Sequence, residues 1–99
     1  MSRFTVLVAL RFDPAPAEDA VDGLLAALRP RDDDLRVWRD TDPRVVRLST
    51  ERAAPDLEAA VLLGQDLAEE ALAASGSAGS VLEVVAMSDE HQRVWRAEP

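Results

Sequence analysis

RFTVLVALRF, residues 3–12, has the alternation of a β-strand. Successive residues of an extended chain point to opposite sides. Phe4, Val6, Val8, Leu10 and Phe12 therefore share one face, and Arg3, Thr5, Leu7, Ala9 and Arg11 share the other. The first face is wholly apolar and the second is mixed. Such a strand has one core face, and a layer must cover it.

The residues that follow supply that layer. Asp13, Pro14 and Pro16 open a helix, because proline is tolerated in the first turn and a carboxylate suits the N-terminus. Ala17, Val21, Leu24 and Leu28 follow at helical spacing, and Pro30 stops it. RPRDDD, residues 29–34, is expected to be a solvated loop. In LRVWRD, 35–40, Leu35, Val37 and Arg39 oppose Arg36, Trp38 and Asp40; in RVVRLST, 44–50, Val46 and Leu48 oppose Val45 and Arg47. Two short strands about a Thr-Asp-Pro turn make a hairpin.

Residues 55–75 form the long helix, with Leu57, Val61, Gly64, Ala68, Ala71 and Leu72 along one side. Glycine inside a helix costs roughly 1 kcal/mol against alanine, so Gly64 is expected to face the sheet where backbones come close. Gly76 suits the C-terminal cap, and GSAGS, 76–80, is a flexible connector. SVLEVVAMS, 80–88, is the last strand, placing Leu82, Val84 and Ala86 opposite Val81, Glu83, Val85 and Met87.

The order β-α-β-β-α-β predicts an α+β domain over residues 1–88. Its economical packing is a four-stranded antiparallel sheet with both helices on one face and the first and third strands central. This order resembles the ferredoxin-like superfold. Residues 89–99 are expected to form a tail or short helix, with Asp89 as N-cap and Gln92 at the third position. RVWR occurs at 36–39 and again at 93–96, holding both tryptophans. With one copy in a strand and the other in a helix the two present different surfaces, so the repetition reads as coincidence. A helix of about eight residues is marginal alone, so the tail either docks on the sheet, links to something else or frays.

The opposite sheet face would expose Leu7, Arg11, Arg36, Trp38, Val45, Arg47, Val85 and Met87, with Trp95 following from the tail. That is a large apolar area for a small domain, and such patches usually mark interfaces. Three readings compete for it: a merely amphipathic surface, packing against a second copy or coverage by another segment, and a small-ligand cleft lined by Trp38 and the arginines.

Composition narrows the classes. The 99 residues hold no cysteine, which removes disulfides, thiolate metal sites and cysteine nucleophiles. Lys, Asn, Ile and Tyr are also missing, as a GC-rich genome would produce, so the arginines reflect codon supply. A net charge of −8 argues against binding nucleic acid. VLVAL, 6–10, is too short to span a bilayer, and the chain is expected to be soluble and cytoplasmic, with no membrane partner.

Catalytic chemistry is thin. His91 has Asp89 and Glu90 beside it, which is a solvated surface pattern and not a catalytic unit. Asp32, Asp33 and Asp34 lack the spaced ligands and turn glycine of a calcium loop. GSAGS lacks the preceding strand and lysine of a phosphate loop. No catalytic residue, metal ligand or cofactor is assigned.

Two family resemblances reach named residues. TVLVALRFDPAPAEDAVDGLLAAL, 5–28, looks like the opening of dimeric α/β-barrel proteins such as antibiotic-biosynthesis monooxygenases, which implies two ferredoxin-like sheets packed face to face. The chain departs from them where its long helix runs straight to the last strand, and no catalytic residue can be matched. Residues 57–99 are similar to the small N-terminal α/β domain of some high-GC bacterial proteins. Their last strand runs through an acidic, Arg-containing segment into a helix-turn-helix, which implies a regulator's accessory domain. The expectation is a non-enzymatic interaction or dimerisation domain, with a regulatory role, working through its sheet face as a homodimer or with a protein partner. The alternative is a cofactor-independent small-molecule enzyme or ligand sensor on the same face.

Overall fold

The computed structural model describes residues 1–76 and 78–97. Its elements are β1 (Ser2–Phe12), α1 (Glu18–Leu28), a 3-10 turn (Arg29–Arg31), β2 (Arg36–Arg39), β3 (Val45–Ala54), α2 (Leu57–Ser75), β4 (Gly79–Met87) and β5 (Gln92–Arg96). They make an α+β fold whose antiparallel sheet has the order β2-β3-β1-β4-β5. The sheet thus has five strands, where the sequence suggested four. β1, eleven residues long, lies in the middle, with β3 on one side and β4 on the other. It pairs with β3 from Ser2↔Ala54 to Arg11↔Val45, which carries β3 four residues beyond the expected RVVRLST.

The fifth strand replaces the expected short helix of the 89–99 tail; residues 98 and 99 lie outside the described residues. A tight turn is the reason. The Ser88 amide donates to the His91 carbonyl at 2.8 Å, and the His91 amide donates to Ser88 Oγ at 3.2 Å. This sends the chain straight back along the open edge of β4, whose free amides and carbonyls need partners. An isolated short helix would leave them unpaired.

One apolar core unites the alternate residues of the first strand with both helices. Phe4, Val6, Val8, Leu10 and Phe12 pack with Val46, Leu48, Val84 and Ala86 of the neighbouring strands and with Leu24, Leu28, Ala60, Val61, Leu67, Ala68 and Ala71 of α1 and α2. Both helices thus cover one face. Leu57 and Leu72 sit at the margin of this contact and Ala60 and Leu67 at its centre, a small rotation from the expected stripe. Gly64 does face the sheet: a β-carbon there would meet the γ-methyls of Val84 and Val6. Asp56 caps α2, its Oδ1 accepting from the Ala59 amide at 2.8 Å, and Gly76 closes it at φ 64°.

Three local expectations need correction. α1 starts at Glu18, because residues preceding Pro14 and Pro16 are pushed away from helical backbone. Arg39 holds this entry segment, donating to the Pro16 and Ala17 carbonyls at 2.8 Å each. Gly79 and Ser80 are strand, not connector: Gly79 packs so tightly on Phe12 and Leu72 that a β-carbon would lie 2.7 Å from the Phe12 ring; Ser77 lies outside the described residues. The acidic run is not wholly solvated either. Asp32 is buried, accepting from Thr50 Oγ1 at 2.6 Å and from Arg52 at 2.9 Å.

Gly23, in the middle of α1, has no such packing reason, since a β-carbon there would meet nothing within 4 Å. Gly23→Ala should therefore stabilise the domain by about 0.5–1 kcal/mol, from helix propensity and a less flexible unfolded chain. A raised urea midpoint at unchanged slope is the expected reading; a lowered midpoint would contradict the open space beside this residue.

Candidate interaction face

The face turned away from the helices follows from register. Directly paired residues in an antiparallel sheet share a side. One row across it runs Arg36, Ser49, Leu7, Val85, Val94, and the next runs Trp38, Arg47, Ala9, Glu83, Arg96. A third holds Glu51, Thr5, Met87 and Gln92. Leu7 and Trp38 thus share a side. Arg11 closes this face at one end, between Val45 and Ser80.

The apolar side chains here are of two kinds. Val45, Val85 and Ala9 are already buried within the single chain, while Leu7 and Met87 are half-buried. Trp38 stands 41% exposed at one edge and Val94 40% at the other. The face is less bare than its residue types suggested, because neighbouring side chains on a twisted sheet shelter one another. Its charges are mostly paired within the chain: Arg47 with Asp40 at 3.4 Å, Arg96 with Glu83 at 3.0 Å, and Arg3 with both Asp34 and Glu51.

The structure brings together Leu7, Arg11, Arg36, Trp38, Val45, Arg47, Val85 and Met87. It does not bring Trp95 to them. Trp95 pairs with Val84 and so lies on the helical side, 37% exposed beside α2. The two RVWR copies are therefore the two edge strands of one sheet in opposite phase. The first turns its tryptophan to the open face, and the second turns valine and arginine there. Arginines along both edges discourage edge-to-edge pairing. Val94, the missed member of the face, became visible only once its segment proved to be a strand.

A bulge makes one further change. Between Ala9 and Leu10 the pairing with β4 slips by one residue, so that Glu83 opposes Ala9 but Val81 opposes Leu10. Val81 consequently turns to the core side instead of the open face, and Leu82 is the extra residue at the kink.

Concave features are found elsewhere. A cavity of about 260 Å³ lies on the helical side, between Phe12 and Val46 below, Pro16, Ala20, Val21, Gly23 and Leu24 of the α1 region, and the end of α2. Its lining carries no charged side chain. A broader concavity at one end of the sheet gathers Arg3, Glu51, Asp89, Glu90 and His91 around open solvent. His91 serves the turn through its backbone and is exposed. Among the described residues, no three His, Asp or Glu side chains come together as a metal site, and no buried side-chain nitrogen or oxygen lacks a partner. No helix among them is long and apolar enough to cross a membrane.

Comparison with known proteins adds no assignment: no family model matches the chain, and no curated protein matches it in sequence.

Proposed function

We propose that this chain is a ferredoxin-like, non-enzymatic interaction domain of the cytoplasm that associates through the helix-free face of its sheet. The observation that carries this reading is the open face itself. It presents Leu7 and Met87 within the sheet and Trp38 and Val94 at its two edges, with arginines and carboxylates among them. Apolar and aromatic side chains mixed with arginine are the composition that protein interfaces favour. A small-molecule site would instead need polar groups converging in an enclosure, and the more enclosed cavity lies on the helical side, away from Trp38 and the arginines.

Sedimentation equilibrium tests the proposal. The wild-type chain should show about twice its 10.8 kDa mass at micromolar concentration. Trp38→Glu should return it to the single-chain value, because a carboxylate cannot be desolvated in an apolar interface without a partner. Equal masses for the two proteins would remove self-association through this face.

A further inference from the structure

We propose that the outer edge of β5 is a docking site for an extended segment of another protein, which adds to the five-stranded sheet as a further antiparallel strand. That segment carries a carboxylate and an apolar side chain two residues apart. The site is separate from the open face and does not depend on what covers that face.

The backbone supplies the first argument. β5 ends the sheet order β2-β3-β1-β4-β5, so one of its sides has a neighbour and the other is an edge. Hydrogen bonds fix which residues face which way. The Ser88 amide donates to the His91 carbonyl at 2.8 Å, and the Ala97 amide donates to the Leu82 carbonyl at 3.0 Å. In an antiparallel pair every second residue turns its backbone groups toward the same neighbour. His91, Arg93, Trp95 and Ala97 therefore serve β4, whereas Gln92, Val94 and Arg96 each turn an amide and a carbonyl outward. Such a row is a template for another strand. The opposite edge offers less. The Asp40 amide donates to the Val45 carbonyl at 2.9 Å, so within β2 only Val37 and Arg39 face outward, and the Arg39 side chain is committed to Pro16 and Ala17.

Side chains then select the occupant. All five residues of β5 are exposed. A strand laid antiparallel along this edge makes its hydrogen-bonded pairs at Gln92, Val94 and Arg96. Its residues opposite Arg93 and Trp95 fall at the intervening positions, where Cα atoms approach to about 4.5 Å and side chains meet most closely. Arg93 has no ion-pair partner among the described residues, so an aspartate or glutamate belongs opposite it. An apolar residue belongs opposite Trp95. These two positions lie two residues apart on the incoming strand, both on the helical side of the sheet. The residue between them meets Val94 on the other side, where a β-branched side chain suits best.

A second β5 fits this edge less well, because QRVWR brings no carboxylate. In full antiparallel overlap about Val94, Arg93 faces the partner's Trp95. The next register toward the start of the strand stacks Arg93 on its own copy, which like charges oppose. The arginines thus discourage a like edge and admit an acidic one.

Hydrogen exchange followed by NMR tests the proposal with the peptide acetyl-Ser-Thr-Leu-Val-Glu-Thr-Ser-amide, whose leucine, valine and glutamate would face Trp95, Val94 and Arg93. At about ten times its dissociation constant the peptide should slow exchange of the Gln92, Val94 and Arg96 amides about tenfold. The Arg93 and Trp95 amides, already bonded to β4, should change less. N-methylation of the peptide's valine and two threonine amides should abolish binding, since those amides form the ladder. Arg93→Glu should weaken the peptide about three- to tenfold, and a peptide with arginine in place of its glutamate should prefer R93E over the wild type by a similar factor. A peptide that does not bind, an N-methylated form that binds equally, slowed exchange without the alternation, or an R93E chain that treats both peptides as the wild type does would each overturn the proposal. So would protection of the same three amides that grows with the concentration of the chain alone, which would assign the edge to a second copy. The masses of the wild type and Trp38→Glu test the open face separately, so either reading can fail while the other stands.

Discussion

Gly64→Val should cost the domain about 3 kcal/mol or more, a large share of the 5–15 kcal/mol that holds such a chain folded. A β-carbon at position 64 would sit 2.7 Å from Val6 Cγ1 and nearer still to Val84 Cγ1. Both valines are fully buried, on β1 and β4 of the sheet interior. Branching at Cβ leaves them few rotamers in which to retreat. The helix must therefore lift away, opening the contact around Ala60, Ala68 and Ala71. Gly64→Ala brings the same β-carbon but gains about 1 kcal/mol of helix propensity, so its net loss should be smaller, near 1–2 kcal/mol. Val84→Ala, which removes one obstructing methyl pair, should cost less in the Gly64→Ala background than in the wild type. Urea denaturation reads all of these; a valine variant within 1 kcal/mol of wild type would mean that α2 does not press on the sheet at this point.

The contrast between Gly64 and Gly23 also marks what was legible in the sequence. Gly64 declared itself, because a glycine inside an otherwise strong helical pattern needs a reason and close approach is the common one. The alternation in β1 likewise settled which residues face the helices, since a period of two over ten residues has no helical counterpart. β5 was not legible. QRVWR is too short for its period to separate strand from helix, and Asp89 with Gln92 imitates a helix start. What decides the matter is the open edge of β4, which only the assembled sheet presents. Missing β5 also hid Val94 and put Trp95 on the wrong side. The bulge that turns Val81 inward was hidden for a similar reason. It is a property of the pairing between two strands, and either strand read alone alternates without interruption.

Asp32→Ala is the second large effect, expected at about 2–4 kcal/mol. Asp32 stands first in a run of three aspartates, a composition that reads as solvated loop. The 3-10 turn over Arg29–Arg31 changes its surroundings, because its backbone winds the carboxylate inward under β3. There Oδ2 accepts from Thr50 Oγ1 and Arg52, and Oδ1 accepts from the Asp34 amide at 3.2 Å. Alanine would leave the Thr50 hydroxyl, 1% exposed, without its acceptor in the core. That unmet hydrogen bond is the larger part of the loss. The ion pair itself contributes less, since the Arg52 side chain is 30% exposed and can turn to water. Arg52→Ala leaves the buried carboxylate with its Thr50 and Asp34 donors and should cost about 1–2 kcal/mol, and Asp32→Asn, which keeps an acceptor for Thr50, should cost less than Asp32→Ala. If Arg52→Ala cost as much as Asp32→Ala, the charge pair and not the buried hydroxyl would be the main tie. The consequence reaches the open face. The Oδ1 bond to the Asp34 amide also ties down the segment that leads into β2. A chain without it should hold Trp38 less firmly, and the proposed association through that face should weaken even at temperatures where the domain remains folded.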